Sequence, residues 1–300
     1  MVHITFRQLQ VFETVARHLS VTRAAEELHL TQPAVSMQIK QFESAIGLPL
    51  FEQVGRRKFL THAGHTMRHY SRLMTQQLME AVEALEELKG IEGGHFKVSV
   101  ASTVNYYATR ILANFCREYP TVRINLDVTN REELLRQLEL NETDIVLMGQ
   151  PPESLDVVAE PFKDNPLVII APPGHRLARR RKTVSLAELE GETFITREEG
   201  SGTRLAMERS FEDYGISLSS KIELNSNEAI KQSVEAGLGL GFVSAHTLEL
   251  ELELGRLKVL KVEGFPIVRR WYIVHRCGKR LSVAAREFKA CVLKGSGGSR

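Results

Sequence analysis

The clearest pattern in the chain runs from Ser20 to Phe42. Ser20 is placed to cap a short helix, because its hydroxyl can accept from a backbone N–H two or three residues on. Ala24, Ala25 and Leu28 give that helix a small apolar face. His29 and Leu30 make a corner. Thr31 then caps a second helix with Pro33 in its first turn, where a missing N–H costs little. Along this second helix Val35, Ile39, Phe42 and Ile46 form one apolar stripe at helical spacing. Pro33, Ser36, Met37, Lys40 and Gln41 fall opposite, flanked by Gln32 and Gln38.

The flanking segments complete a small unit. Thr5-Phe6-Arg7-Gln8 fits a capping box, and the helix it opens turns Phe6, Leu9, Phe12, Val15 and Ala16 inward. Residues 50–61 predict two short strands about Gly55, with Arg56, Arg57 and Lys58 at the tip. Thr61 caps a long helix over residues 63–89. In it Met67, Met74, Ala81 and Leu88 recur every seven residues, with Leu78 and Leu85 in the second apolar position and Ser71 breaking it once. Such a seam predicts pairing with a second copy of the chain.

Residues 90–94, GIEGG, interrupt the helix as a hinge. Strand and helix patterns then alternate. Strands are expected at 96–101, 122–128, 145–148, 167–171, 194–196, 222–224, 241–243 and 269–275, and helices at 107–118, 131–140, 203–214, 228–236 and 282–293. This predicts two α/β lobes with a cleft between them, the chain crossing twice. The expected organisation is mixed: an all-α winged helix-turn-helix at 1–61, a linker helix at 62–90 and an α/β two-lobed domain at 91–300. Lobe I covers about 91–162 plus 267–294, and lobe II about 163–266.

The chemistry of these elements is that of binding. An exposed helix face of amides, a hydroxyl and one cation suits a DNA major groove, where amides pair with adenine edges and lysine with phosphate. The candidate DNA contacts are Thr31, Gln32, Pro33, Ser36, Met37, Gln38 and Lys40, with Arg56 and Arg57 reaching phosphates or the minor groove from the hairpin. An ordinary solvated face is the bland alternative. In the α/β part, ligands bind at strand-to-helix corners. Four corners offer hydroxyls or amides: Ser102-Thr103, Asn130, Asn227, and a glycine-flanked turn carrying Thr196, Ser201, Thr203 and Arg204. The last has N–H groups, hydroxyls and a cation suited to an anion. Each corner alone also fits plain capping.

Composition adds limits. Three hundred residues with net charge +2 carry no global field toward nucleic acid. Up to Arg72, however, nine cations face five acids, a basic bias where phosphate contact would need it. Cys116, Cys277 and Cys291 have no metal-ligand spacing and are expected to be buried free thiols in a reducing cytosol. His65 and His69 lack a third ligand, so no metal is expected. No apolar run resembles a signal peptide or membrane span, which points to a cytoplasmic protein. GSGGSR at the end reads as flexible tail. The glycines of Gly237-Leu238-Gly239-Leu240-Gly241 follow a helix and precede a strand, the reverse of a dinucleotide turn, and fit a helix C-cap. Ser201 has no elbow motif, and no catalytic constellation appears.

AAEELHLTQPAVSMQIKQFESAIGLPLFEQVGRRKFLTHAG, from Ala24 to Gly64, resembles the N-terminal domain of LysR-type transcriptional regulators. The match includes AAxxLxLTQPAVSxQIxxxE, GxxLFE, the Arg-bearing hairpin and LTxAG, and it runs without a gap from about Thr5. FETVARHLSVTRAAEELHLTQPAVSMQIKQFE and LPLFEQVG are most similar to the regulators of carbon-fixation (RuBisCO) operons. The resemblance implies an operator-DNA-binding regulator, homodimeric or tetrameric through the linker helix, with RNA polymerase as a further partner. It implies a two-lobed domain like periplasmic binding proteins, with the corners facing one cleft and a small effector in it. For the carbon-fixation branch the effector would be ribulose bisphosphate, phosphoglycerate or NADPH. Another operon with a carboxylate effector is the alternative, and a cytosolic solute-binding protein or an enzyme is the reading from outside the family.

Overall fold

A computed structural model describes residues 4–55, 57–87, 94–216 and 219–295. The chain divides into two compact units, Met1–Leu88 and Lys89–Arg300. Arg56 and the 88–93 segment, which contains most of the expected hinge, lie outside the described residues.

In the first unit three helices form because their capping and apolar periods agree. These are α1 (Phe6–His18), α2 (Val21–Leu28) and α3 (Gln32–Ile46). Thr5 and Gln8 make the reciprocal capping box, and the Ser20 and Thr31 hydroxyls accept from Arg23 and Ala34 N–H. His29 closes α2 at a left-handed φ of 53°. Phe12, Val15, Ala24, Val35 and Phe42 are wholly buried where the helices meet. The Phe12 ring lies 5.4 Å from that of Phe42 and 5.5 Å from that of Phe51. Phe51 opens β1 (Phe51–Val54), which pairs antiparallel with β2 (Arg57–Leu60), Val54 opposite Arg57. The Glu43 carboxylate accepts from the N–H groups of Leu50 and Phe51 at 2.8 and 3.2 Å, which ties the hairpin to α3.

The long helix α4 (His62–Glu87) begins against this hairpin. The Thr61 hydroxyl accepts from Gly64 N–H at 3.0 Å. Glu13 and Arg72 pair at 2.7 Å, so α4 is also tied to α1. The expected apolar seam is kept in part: Met74, Leu78 and Leu85 share one exposed face, and Leu88 lies outside the described residues. Met67 leans on the three-helix core instead, while Tyr70, Met74, Leu78, Val82 and Leu85 form the exposed apolar face of α4. Packing on that core claims the first turns, so the free stripe begins later.

The second unit is built on one nine-stranded sheet. In chain order it comprises β3 (His95–Ala101), α5 (Asn105–Glu118), β4 (Arg123–Thr129), α6 (Arg131–Glu139), β5 (Ile145–Gly149) and β6 (Val157–Ala171). There follow β7 (Thr193–Arg197), α7 (Gly202–Glu212), β8 (Ser219–Leu224), α8 (Asn227–Glu235) and β9 (Leu240–Ser244). The last elements are α9 (Glu249–Glu253), β10 (Lys258–Val259), β11 (Ile267–Arg276) and α10 (Val283–Gly295). Strand order is β4-β3-β5-β11-β6-β9-β7-β8, with β10 also on β6. The β3, β4 and β5 strands are parallel, as are β7, β8 and β9, each set followed by helices. β5 is an unbroken apolar run, as expected of a strand covered on both faces.

Two lobes arise because β6 and β11 run through both. They pair antiparallel over their length, with one register shift between Trp271 and Tyr272. Phe96, Phe115 and Phe288 centre the core of lobe I, and Phe194, Phe211 and Phe242 that of lobe II. β6 is ten residues longer than the expected 167–171 strand, starting at Val157. Pro161 sits opposite Tyr272 beside the register shift, where a missing N–H is tolerated, so proline does not end the strand. The cysteine expectation is also corrected. Cys116 and Cys277 are exposed and Cys291 is half-buried, because α5 turns Ala108, Ile111 and Phe115 inward and Cys277 follows the end of β11. Gly237 takes a left-handed φ of 81° just past α8, as a helix terminator does.

A Cβ at Gly64 would fall inside the Leu50 carbonyl group, where neither backbone can yield. Gly64→Ala should therefore destabilise the first unit by about 1–3 kcal/mol. Denaturant unfolding of the full chain followed by circular dichroism measures this, and an unchanged midpoint would contradict the packing.

Candidate recognition face and ligand cavity

On α3 the buried side is Val35, Ile39 and Phe42. The other side is open: Thr31, Gln32, Pro33, Met37, Lys40 and Gln41 are exposed, and Ser36 and Gln38 are half-buried. Pro33, Ser36, Met37, Lys40, Gln41 and Ser44 line one shallow concavity along the helix. The face therefore offers an amide, two hydroxyls, a thioether and an ammonium, with no carboxylate among these lining residues. Glu43, the first acid of α3, is turned away to hold the hairpin. In that hairpin Arg57 is exposed at the start of β2, but Lys58 is not at the tip. Its ammonium lies over the Phe51 ring, 5.1 Å from the centroid. Alternation along the strand turns Lys58 back toward that ring.

In the second unit three of the four expected corners meet. The turns after β3, β4 and β7 feed the N-termini of α5, α6 and α7, and they enclose a cavity of about 350 Å³. Ser102, Thr103, Asn130, Ser201 and Thr203 line it, over a floor that includes Met148, Leu167, Ala206 and Trp271. Neither Val104 nor Ser201 makes a side-chain cap at its helix; in the first turn of α5 the Tyr107 N–H donates to the Val104 carbonyl at 2.9 Å. Asn130 does cap α6, its Oδ1 accepting from Glu133 N–H at 3.0 Å. Three helix N-termini around one space favour negative charge.

The remaining expected ligand residues are placed elsewhere. Thr196 is buried behind the strand, its hydroxyl 3.4 Å from the Ile222 carbonyl. Arg204 lies outside the cavity lining. It donates to Glu208 at 2.7 Å and to Glu223 at 2.5 Å, because one step along α7 from Thr203 turns it toward β8. Asn227 is buried and acts through Arg197.

Arg197, unforeseen from the sequence, is the node of the cavity. Its side chain is only 3% exposed. Nε and Nη2 donate to the two Glu198 carboxylate oxygens at 2.7 and 2.8 Å. Nη1 donates to Asn227 Oδ1 at 2.9 Å, and Nη2 to Ser102 Oγ at 3.1 Å. One guanidinium thus joins lobe II to the first corner of lobe I. Other bonds across the lobes agree: Tyr106 donates to Glu228, and Arg110 pairs with Glu249. Burial, followed by the hydrogen bond to Glu228, raises the Tyr106 hydroxyl far above the usual tyrosine range, so it stays a donor.

The lining also contains Arg131, Arg209, Arg269 and Arg270, against one carboxylate, Glu153, among the described residues. None was visible as a site residue by motif. A spacing signal existed for Arg209, which follows Gly202 by seven residues and so shares its helix face.

Two family models match the chain: "Bacterial regulatory helix-turn-helix protein, lysR family" over residues 6–65, and "LysR substrate binding domain" over residues 89–296. The chain belongs to the LysR family of transcriptional regulators. A RuBisCO operon transcriptional regulator of Allochromatium vinosum is 56% identical to this LysR-family chain over 291 residues, 97% of this chain and 96% of that protein. The regulatory domain of CcmR from Synechocystis PCC6803, solved in complex with 2-PG, is 38% identical with a TM-score of 0.66, covering 68% of this chain and 98% of that one. Full-length CbnR, solved with its target DNA, shares the fold at a TM-score of 0.70 and 20% identity, covering 98% of this chain and 100% of that one.

Removing Arg197 from this regulator leaves Glu198 and Asn227 facing each other without their donor. Arg197→Leu should destabilise the second unit by about 3–5 kcal/mol, the usual result of breaking a buried charged pair from one side. The single tryptophan, Trp271, reports urea unfolding of that unit directly. A loss under about 1 kcal/mol would show that the node contributes little.

Proposed function

We propose that this LysR-type regulator binds the operator of a carbon-fixation operon and that an anionic metabolite in the interlobe cavity alters that binding. The observation that carries the effector half is the cavity itself. Three helix N-termini, five hydroxyl-bearing residues and an excess of guanidinium groups converge on a space of about 350 Å³, the size of a small metabolite site. The 56% identity to a RuBisCO operon regulator and the 2-PG found in the CcmR regulatory domain support a phosphorylated acid as effector and carbon fixation as the target. Ser102, Thr103, Asn130, Ser201 and Thr203 are assigned as effector contacts.

For DNA, Gln32 and Ser36 read base edges, Met37 offers an apolar contact for a thymine methyl, and Lys40 and Arg57 meet phosphates. Thr31, Pro33 and Gln38 set the start and flank of that face. Residues 1–61 form the DNA-binding domain and 62–90 the dimerisation helix. There the uncovered face of Tyr70, Met74, Leu78, Val82 and Leu85 packs against a second copy, and two such units read a two-fold operator. Catalysis is not part of this reading. Among the described residues, no histidine or carboxylate hydrogen bonds to the hydroxyls of Ser102, Thr103, Ser201 or Thr203 to make one a nucleophile.

The test compares two variants in gel-shift titrations on specific and random duplexes. Gln32→Ala should weaken operator binding by about 1–3 kcal/mol and leave random binding in place. Arg57→Ala should weaken both evenly and lower the salt slope by about one unit. Operator binding by Gln32→Ala equal to the parent would overturn the recognition-helix assignment.

A further inference from the structure

Of the arginines lining the cavity, two are already compensated. Arg197 is held by Glu198, and Arg270 approaches Asp164 at 3.5 Å. Three others are not. Arg131, Arg209 and Arg269 all line the cavity, and among the described residues none forms an ion pair with a carboxylate. They come from three separate elements: Arg131 from the first position of α6 in lobe I, Arg209 from α7 in lobe II, and Arg269 from the crossing strand β11. Arg131 is half-buried, and its Nη1 donates to the Gln150 carbonyl at 2.7 Å. A Cβ placed on Gly202 would touch the Arg131 stem at 3.6 Å, so the start of α7 faces it across the cleft. Arg209 and Arg269 are exposed residues of the same lining.

Local stability does not explain this placement. A cation at the first position of α6 opposes the helix macrodipole. Burial, and then repulsion from Arg269 and Arg209, lowers the Arg131 guanidinium from its ordinary value, though it stays charged at neutral pH. Like charges from two lobes and the strand between them thus line one space, with no ion-pair partner for them among the described residues.

We propose that Arg131, Arg209 and Arg269 form a charge-counting subsite which binds the phosphate dianion of a phosphorylated acid and draws the two lobes together on it. The hydroxyl end of the cavity, at Ser102, Thr103, Ser201 and Thr203, takes the remainder of the ligand. A carboxylate alone, with one negative charge, would leave most of the trio uncompensated. A phosphate monoester supplies two charges and three acceptor oxygens. This inference rests on the cavity being the effector site, and it names which chemical group that site selects.

The experiment uses the full chain and two probes that differ only in phosphorylation, glycerate and 3-phosphoglycerate. Binding is read from Trp271 fluorescence and from the thermal shift. The parent should prefer 3-phosphoglycerate by about a hundredfold, and Arg209→Gln and Arg269→Gln should each remove about tenfold of that preference. Neither substitution should lower the melting temperature of the ligand-free protein, since each relieves repulsion, whereas a structural arginine would lower it. Arg209→Lys, which keeps the charge and loses the planar fork, should retain more of the preference than Arg209→Gln. A parent that binds 3-phosphoglycerate while both Gln variants keep the same preference would overturn the subsite and leave the effector cavity standing. A parent that binds neither probe would overturn both.

Discussion

The second unit depends on one ladder. β6 and β11 pair antiparallel from Ile267 opposite Leu167 to Arg276 opposite Val157, and they are the strands common to both lobes. Every corner that lines the cavity is positioned by strands flanking this pair. The register shift at Trp271/Tyr272 falls between the lobes, where the Trp271 ring is buried among Tyr107, Phe162 and His246 and also walls the cavity. Two strands joined by backbone hydrogen bonds can twist without breaking, so the element that holds the lobes in one sheet is the hinge that the proposed closure requires.

Around that hinge the polar groups divide into two kinds. Arg197, Glu198, Asn227 and Ser102 satisfy one another, and they fix the back of the cleft. Arg131, Arg209 and Arg269 do not satisfy one another, and they face the ligand space. The first set gives a defined resting arrangement. The second leaves an electrostatic cost that only an anion removes. Functional sites are where local rules of stability are expected to fail, and the cation at the head of α6 is such a failure.

The first unit was legible because its signals are local. The Thr5–Gln8 box, the Ser20 and Thr31 caps and the Val35, Ile39, Phe42 stripe each depend on neighbours within two turns. The strand-to-helix corners were legible for the same reason, and the structure gathers Ser102, Thr103, Asn130, Ser201 and Thr203 at one cavity. What was illegible needed tertiary context. Pro161 and Pro166 hid the first ten residues of β6, and the bulge opposite Tyr272 that makes Pro161 tolerable is set by the partner strand. Arg204 looked like the anion ligand because it stands next to Thr203, yet helical rotation sends it to Glu208 and Glu223. Arg209, two turns in, takes the cavity side. Arg131 and Arg269 are distant in sequence and line one cavity only because the end of β4 and the start of β11 border the same cleft. Met67 was taken out of the free stripe on α4 by packing on the three-helix core, which no heptad count contains.

These pieces amount to a coupling between a metabolite and DNA. Closure of the lobes on an anion changes the free energy of the second unit, and a regulator that uses this must bind effector differently when its operator is occupied. The most direct measurement is therefore reciprocal: the affinity of the full chain for 3-phosphoglycerate, free and saturated with operator duplex. The account predicts that the two dissociation constants differ by about fivefold or more, the usual range of allosteric coupling. Equal constants would show that the cavity and the recognition helix are not linked through this ligand, and would contradict the account at its centre.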